Sequence, residues 1–389
     1  MLKSFSVTGY RSFRNRVTLD FGRPHDYNWH NDPLAGDGYI TDGIISNALV
    51  LGENATGKTN LGYALMDVKD NFVRSSMRFG LGEEEDSSYL NGDSGLEYAE
   101  FEYRFAIEGA EVVYTYRKDS HLKVLYEKLE LDGSLVFECN MVARVLDAEG
   151  LELVGARHLN WEFADDEMSV LGYLSNSLPK AESPVVFALR RFIEGMGMIS
   201  VPTRAPRHAM MHSALRPIVR SDELVRRFEG FLRGHGVDER LQVVDGPDGN
   251  PALYFRHGRL VPFARACSSG TLTLLLLFSR FVLREDESRN SFLYIDEFDA
   301  YLHYQVAESL VAYFGGVGSC QTVCSTHNTS LVKNTTMRPD CVFMITRADP
   351  PGGDWLCSAL RIESLADRTG REIRRVNNVE HLLRNGEFD

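Results

Sequence analysis

One eight-residue segment of this chain carries side chains and glycines suited to chemistry on phosphate. Residues 52–59 have the sequence Gly-Glu-Asn-Ala-Thr-Gly-Lys-Thr, which matches the pattern G-x-x-x-x-G-K-[ST] at every fixed position. The glycines of this pattern let backbone N–H groups converge on phosphate oxygens, the lysine reaches the β- and γ-phosphates, and the last hydroxyl ligates Mg²⁺. The segment therefore predicts a phosphate-binding loop for ATP and Mg²⁺.

The flanks of the loop have the strand-loop-helix context that the pattern requires. Residues 46–51 form an apolar run suited to a buried strand, and residues 60–66 have helical character, so the helix dipole would favour phosphate. A chance glycine-rich turn is the alternative, and the match at all fixed positions argues against it. The residues predicted to bind nucleotide here are Gly52, Glu53, Asn54, Ala55, Thr56, Gly57, Lys58, Thr59 and Asn60.

A second apolar run, residues 292–297, ends in the adjacent carboxylates Asp296 and Glu297. A strand of this kind is what a Walker B motif needs. Asp296 would hold Mg²⁺ through water, with Thr59 as the loop's own metal ligand, and Glu297 would polarise the attacking water. An ordinary strand-to-loop junction is the alternative, and the phosphate loop earlier in the chain makes the catalytic interpretation the better one.

Two further segments follow in the order expected of a composite site. Ser268, Ser269 and Gly270 precede an apolar helix predicted over 271–284, and free N–H groups at a helix start bind anions. Because the chain's own loop already binds one nucleotide, this second anion site would bind the nucleotide of another subunit. A simple helix cap is the alternative. His327 closes a strand over 321–325, where it could reach a γ-phosphate. The predicted catalytic residues are thus Lys58, Glu297 and His327.

The elements that must position these residues can be predicted from periodicity. Residues 1–21 and 98–140 alternate as antiparallel strands, with a hairpin turn at Asp132-Gly133. Residues 160–240 are mostly helix-like with breaks near Pro202, Pro206 and Pro217, and residues 243–262 return to short strands. We expect a parallel α/β core split by an insertion. Residues 1–68 and 255–389 would form the core with the 98–140 lobe attached, and 141–254 a mostly helical lid.

Composition and charge limit the class of protein. With 43% hydrophobic and 25% charged residues, no apolar run of ~18 residues and six scattered cysteines, we expect a globular, cytoplasmic protein with reduced thiols and no membrane partner. The net charge of −13 argues against a broad nucleic-acid surface. Residues 190–240 nevertheless hold ten arginines, no lysine and six acids, so this stretch is either a solvated helical face or a local DNA track.

Taken together, the motifs make the chain resemble the ABC-type ATPase heads of the SMC, RecF and OLD group, nearest to the AAA-type proteins of the RloA and AbiL kind that accompany phage-defence effectors. The matching segments are 9–13 (Gly-Tyr-Arg-Ser-Phe), 269–271, 296–299, 325–331, 338–340 and 378–383. The resemblance spans nearly the whole chain. It implies a P-loop fold of ABC-type head, mixed β lobe and largely helical insertion.

The resemblance also implies a mechanism. Two heads would sandwich ATP head-to-tail as a homodimer or higher homo-oligomer, with Ser268 and Gly270 touching the opposite γ-phosphate and His327 sensing it. The chain departs from this group in one respect. Such heads usually carry a glutamine between the phosphate loop and the Ser-x-Gly segment. Gln242 is the only glutamine there, in an unpromising context, so another residue fills the role or turnover is slow.

Three functions remain open from sequence. The insertion lacks the heptads of a long coiled coil, and no Asp-x-Asp pair after His327 indicates a fused Toprim nuclease. We therefore favour an ATP-hydrolysing switch in antiphage defence that controls a separately encoded nuclease or toxin. The alternatives are a RecF-like repair clamp that grips DNA and a nucleotide-bound scaffold with little turnover. Under the favoured hypothesis the isolated chain would bind DNA only weakly.

Overall fold

The fold was analysed in a computed structural model. It describes residues 1–24, 38–72, 89–156, 169–180, 182–200, 207–246, 249–281, 291–316, 320–333, 336–348, 356–363 and 380–381. Most of segment 378–383 and the breaks expected at Pro202 and Pro206 lie outside these residues. Within the part that the structure describes, none of the helices has the length and apolar character needed to span a bilayer.

The N-terminal third of the chain builds a seven-stranded antiparallel sheet in the order β10-β9-β8-β7-β6-β1-β2. Buried and partly exposed residues alternate along β6, so one face of this sheet packs on the core. The predicted hairpin turn is confirmed, because Asp132 and Gly133 both have positive φ angles, of 49° and 78°. Its strands are β1 (Leu2–Thr8), β2 (Val17–Asp20), β6 (Ala99–Ile107), β7 (Ala110–Lys118), β8 (Val124–Leu131), β9 (Ser134–Asn140) and β10 (Val145–Asp147).

A six-stranded sheet in the order β11-β15-β16-β5-β17-β18 forms the second layer. Every pair in it is parallel except the last, and the central strands are buried on both faces, as apolar parallel strands require. Its strands are β5 (Asn47–Gly52), β11 (Met196–Ser200), β15 (Phe292–Asp296), β16 (Gln321–Thr326), β17 (Val342–Ala348) and β18 (Leu356–Arg361). A two-residue hairpin, β3 (Ile40–Thr41) and β4 (Ile44–Ile45), precedes β5.

Helix α1 (Lys58–Met66) contacts both sheets. A Cβ atom at Gly62 would lie 2.6 Å from the Tyr294 ring of β15, so only glycine allows this close approach. On the other side, the Tyr103 hydroxyl of β6 donates to the Ala64 carbonyl at 2.8 Å. The short 3₁₀ segment Asp67–Asn71 continues the helix. The helix that begins at the predicted phosphate loop is therefore held by both layers.

The remaining helices and a small third sheet lie around these layers. Helices α5 and α7 pack through aromatic rings, with the Phe228 and Phe278 centroids 5.0 Å apart. The three-stranded antiparallel sheet has the order β12-β13-β14. The elements are α2 (Val170–Ser177), α3 (Pro184–Gly195), α4 (Arg207–Ile218), α5 (Asp222–Gly234), β12 (Leu241–Asp245), β13 (Pro251–His257), β14 (Arg259–Pro262), α6 (Phe263–Ala266), α7 (Ser269–Phe281) and α8 (Tyr304–Gly316).

Within the described ranges the predicted elements are present, with one clear omission. The assignment of 160–240 as mostly helical misses β11, which follows α3 directly and pairs in parallel with β15 at the edge of the core sheet. The predicted break near Pro217 corresponds to the end of α4, since Pro217 is its penultimate residue. The proposed division of the chain into head and lid stays a prediction.

Candidate nucleotide-binding site

The loop between β5 and α1 has a backbone that only small residues permit. Gly57 has a φ angle of 103°, and a Cβ atom there would lie 2.7 Å from the Ser12 hydroxyl. A Cβ atom at Gly52 would lie 2.6 Å from the Thr56 hydroxyl and 2.8 Å from the Ile345 carbonyl. Ala55 also takes a left-handed conformation, with φ of 63°. This cradle fits a phosphate chain that the backbone must approach closely.

Lys58 is almost fully buried at the start of α1, and its ammonium group makes three contacts. Nζ donates to the carbonyls of Gly52 and Glu53 at 2.9 and 2.8 Å, and it lies 3.1 Å from Nδ1 of His327. Burial lowers the pKa of Lys58, while the carboxylates of Glu297 and Asp296 act to raise it. The lysine is thus directed into the loop rather than toward solvent.

Asp296 joins three elements at the carboxyl end of β15. Its Oδ2 accepts a hydrogen bond from the Thr59 hydroxyl at 2.8 Å, and its Oδ1 accepts one from the Ser325 hydroxyl at 2.7 Å. Burial raises the pKa of Asp296, and the Ser325 and Thr59 hydrogen bonds oppose that shift. A carboxylate beside a threonine hydroxyl is a set of hard oxygen donors, which suits Mg²⁺.

Glu297 follows with a strained backbone and a half-exposed side chain. Its φ angle is 45°, unusual for a residue with a side chain, and its N–H donates to the Ser325 hydroxyl at 2.8 Å. Its Oε1 lies 3.2 Å from Nε2 of His327. Because Lys58 has donors only, His327 accepts at Nδ1 and donates from Nε2. The three predicted catalytic residues therefore form one chain, Lys58–His327–Glu297.

A cavity of about 260 Å³ opens where these residues meet. Ala55, Gly57, Lys58, Thr59, Asn60 and Glu297 line it. Of the other predicted loop residues, Thr56 is buried and donates to the Glu53 carbonyl at 2.9 Å, while Glu53 and Asn54 are exposed. Asn60 donates to the Ser12 hydroxyl at 2.7 Å, which brings the N-terminal motif 9–13 beside the loop.

The Ser268–Gly270 segment is outside the set of residues that line this cavity. The exposed Ser268 hydroxyl accepts from the Thr271 N–H at 3.0 Å and so caps α7. A Cβ atom at Gly270 would lie 2.7 Å from the Tyr301 carbonyl, so this segment packs on the loop after Glu297. This geometry is that of a simple helix cap, the alternative considered from the sequence. Contact with a nucleotide held by a second molecule stays a prediction.

Two residues at the site carry roles that the motif analysis did not assign. The fully buried Ser325 links Asp296 to the Glu297 backbone, and the Tyr294 hydroxyl donates to the Lys58 carbonyl at 2.7 Å. The sequence offered no signal for Ser325, because its place beside Asp296 depends on the strand register that sets Cys324 opposite Ile295, and a sequence pattern does not fix that register.

Comparison with known proteins identifies the class of fold. Residues 201–333 match a family model described as "AAA domain, putative AbiEii toxin, Type IV TA system". No curated protein matches the chain in sequence. Among solved structures, the SmcHead bound to the C-winged helix domain of ScpA superposes with a TM-score of 0.50 at 14% identity, covering 93% of this chain and 99% of that one. The SMC head domain from Thermotoga maritima gives 0.46 at 16% identity, covering 92% and 98%.

The fold is therefore that of an ABC-type ATPase head of the SMC kind, a mixed α/β P-loop architecture. The fold prediction is confirmed. The catalytic and binding roles of the individual residues stay predictions.

Proposed function

We propose that this protein binds and hydrolyses ATP with Mg²⁺ and acts as a switch in antiphage defence. The observation that carries the proposal is that contacts join the start of α1 to residues distant in sequence, beside a cavity that Lys58, Thr59 and Glu297 line. Lys58 lies 3.1 Å from His327, His327 lies 3.2 Å from Glu297, and the Thr59 hydroxyl donates to Asp296 at 2.8 Å.

Each residue has a role that its contacts support. Lys58 would exchange its two carbonyl acceptors for phosphate oxygens, and backbone N–H groups of the loop would hold the phosphate chain. Thr59 and Asp296 would hold Mg²⁺, which when bound neutralises charge on the phosphates. Glu297 would take a proton from the attacking water, and the Nε2–H of His327 would orient the Glu297 carboxylate. The Ser325 hydroxyl, bonded to both, holds the Asp296 carboxylate and the Glu297 backbone in place.

A second copy of the chain completes the proposed site. The exposed Ser268 and the half-buried Gly270 lie at the start of α7, where the first N–H groups of the helix would meet an anion. Since one chain's cavity is lined without them, we propose that they contact nucleotide held by the other copy. ATP would thus close a head-to-tail dimer or larger homo-oligomer, and hydrolysis would open it.

The defence role rests on different support. The matched family model is named for a toxin of a toxin–antitoxin system, which agrees with the resemblance to phage-defence ATPases of the RloA and AbiL kind. Helices α2, α3, α4 and α5, each of at most 13 residues, lie in the described part of 141–254, the stretch in which SMC-type proteins carry a coiled coil. We propose that the chain controls a separately encoded nuclease or toxin.

Steady-state ATPase measurements test the catalytic part. Glu297→Gln should retain ATP binding while turnover falls by about 10²-fold or more, the usual contribution of a general base. Lys58→Ala should lose binding itself. Normal turnover in Glu297→Gln would remove Glu297 from the mechanism, and absence of ATP binding in the unchanged protein would end the proposal.

A phage challenge tests the defence part. A culture that expresses the chain together with its neighbouring gene should survive phage infection better than a culture that expresses the Lys58→Ala variant with the same gene. The chain and the product of the neighbouring gene should also copurify. Protection by the chain without its neighbour, or growth arrest by the chain alone, would assign the toxic activity to this protein and refute a separate effector. Intact ATPase activity without any protection would instead favour a repair clamp.

A further inference from the structure

The segment 207–266 differs in charge from the rest of the protein. It contains ten arginines, no lysine and seven acidic residues, a net charge of +3 in a chain whose total is −13. Seven of these arginines are exposed and form no ion pair with any residue that the structure describes. They are Arg216, Arg220, Arg226, Arg240, Arg256, Arg259 and Arg265.

Arginines elsewhere are used differently. On the polar face of the seven-stranded sheet, Arg16, Arg104 and Arg117 lie 2.9, 3.0 and 2.7 Å from glutamate carboxylates. That face carries a cavity of about 510 Å³, but its charges are matched by one another. The seven exposed arginines named above have no such partner among the described residues, so their guanidinium groups remain available to an external anion.

The three-stranded sheet arranges two of these arginines side by side. The Arg256 N–H donates to the Arg240 carbonyl at 2.9 Å, and Arg256 is directly opposite Leu260 on β14. Residues opposite each other in antiparallel strands share a face, with Cβ atoms about 5 Å apart. Arg240, Arg256 and Leu260 therefore form one row across the outer face. Like charges placed directly opposite destabilise a sheet, and no acid in the described residues offsets this pair.

The neighbouring row adds an aromatic ring. Tyr254 is two residues before Arg256, on the same face, and pairs with Gln242 on β12. The opposite face is covered, because Leu253 and Phe255 are buried and the Phe255 ring stacks on Phe263 at 4.8 Å. Leu260 on the outer face is 41% exposed. The outer face thus presents two cations, an amide, a partly exposed ring and an aliphatic side chain.

We propose that this face, the row Arg240–Arg256–Leu260 with Gln242 and Tyr254, binds single-stranded nucleic acid. Arginine matches phosphate by paired hydrogen bonds, and a ring beside the cations gives an unpaired base a surface on which to stack. An acidic protein segment would use the arginines but would gain little from Tyr254. The proposal goes beyond the ATPase function and does not depend on nucleotide hydrolysis.

The test measures binding by the full chain without ATP. Fluorescence anisotropy at about 50 mM salt would compare a 20-nucleotide single-stranded DNA, the same sequence as RNA, and its DNA duplex. Arg240→Gln with Arg256→Gln should weaken single-strand binding about tenfold and lower the salt slope by about 1.4, since each phosphate contact on a single strand contributes about 0.7. Tyr254→Ala should weaken it at least about fivefold, and Tyr254→Phe should restore it.

Arg23→Gln with Arg233→Gln is the matched control, because it removes the same charge from exposed arginines that are ion-paired to Asp20 and Asp238. Preference for DNA or for RNA identifies the natural strand, and either supports the proposal. Equal weakening by the control pair, equal affinity for the duplex, or no binding to either strand would overturn it. Polyglutamate is the test for an acidic protein as ligand. If it binds as tightly as the single strand, and the Arg240→Gln, Arg256→Gln variant weakens that binding too, the proposal is overturned, because the face would then be a site for an acidic protein.

Discussion

Ser325→Ala is the substitution that tests most directly how the proposed metal site is built. Its hydroxyl donates to Asp296 and accepts from the Glu297 N–H, at 2.7 and 2.8 Å, in a position with no solvent exposure. A hydrogen bond to a charged group contributes about 1.5–3 kcal/mol, or about 10- to 150-fold in an equilibrium constant. Its removal also takes away one of the contacts that hold down the pKa of Asp296.

We therefore expect the Mg²⁺ concentration for half-maximal ATPase activity to rise at least tenfold in Ser325→Ala. Titration of MgCl₂ at saturating ATP measures this directly, and binding of a fluorescent nucleotide without Mg²⁺ should change much less. Thr322→Val is the control, because it deletes another buried hydroxyl on the same strand, one that contacts the Cys320 carbonyl. An unchanged Mg²⁺ requirement in a folded Ser325→Ala protein would refute the assignment of Asp296 as the metal ligand.

Three further outcomes are expected. Ser268→Asp in the Glu297→Gln background should abolish ATP-dependent association in light scattering through charge repulsion, whereas association that survives in Ser268→Asp, or is lost equally in the uncharged Ser268→Asn, which also caps a helix, would contradict the composite site. Lys118→Met should lower the free energy of unfolding in urea by about 3–5 kcal/mol, because it leaves the buried Asp67 carboxylate without the ammonium 2.6 Å away; a loss under about 1 kcal/mol would show the pair to be unimportant. Burial raises the pKa of Glu127 in the folded protein. As pH rises, the Glu127 carboxyl therefore loses its proton in the unfolded chain before it does so in the folded protein. The free energy of unfolding should fall as pH rises above the unfolded pKa of about 4.3. Glu127→Gln should flatten that fall in urea midpoints, and an unchanged pH profile would argue against a raised pKa.

Much of the core site could be predicted because its chemistry is local in sequence. The phosphate loop needs its glycines and lysine within eight residues, and the apolar runs before residues 52 and 296 are sufficient to indicate buried strands. The structure places the start of helix α1 at Lys58, where the loop pattern indicated it.

What could not be predicted depends on partners distant in sequence. The segment 196–200 has little strand character, and it becomes a strand because residues 292–296 pair with it. The contacts of Ser325 and Tyr294 likewise join residues 29 and 236 positions apart. The arginine row of the small sheet depends on strand register, which periodicity alone does not fix.

The order of strands in the six-stranded sheet has a consequence for synthesis of the protein. Strand β5, which leads into the phosphate loop, lies between β16 and β17. A ribosome has therefore made some 270 further residues before the first neighbour of β5 exists, while the strands of the seven-stranded sheet all lie before residue 148. Non-local pairing of this kind forms late and slowly. We expect the antiparallel sheet to fold during translation and nucleotide binding to appear only when the C-terminal strands emerge.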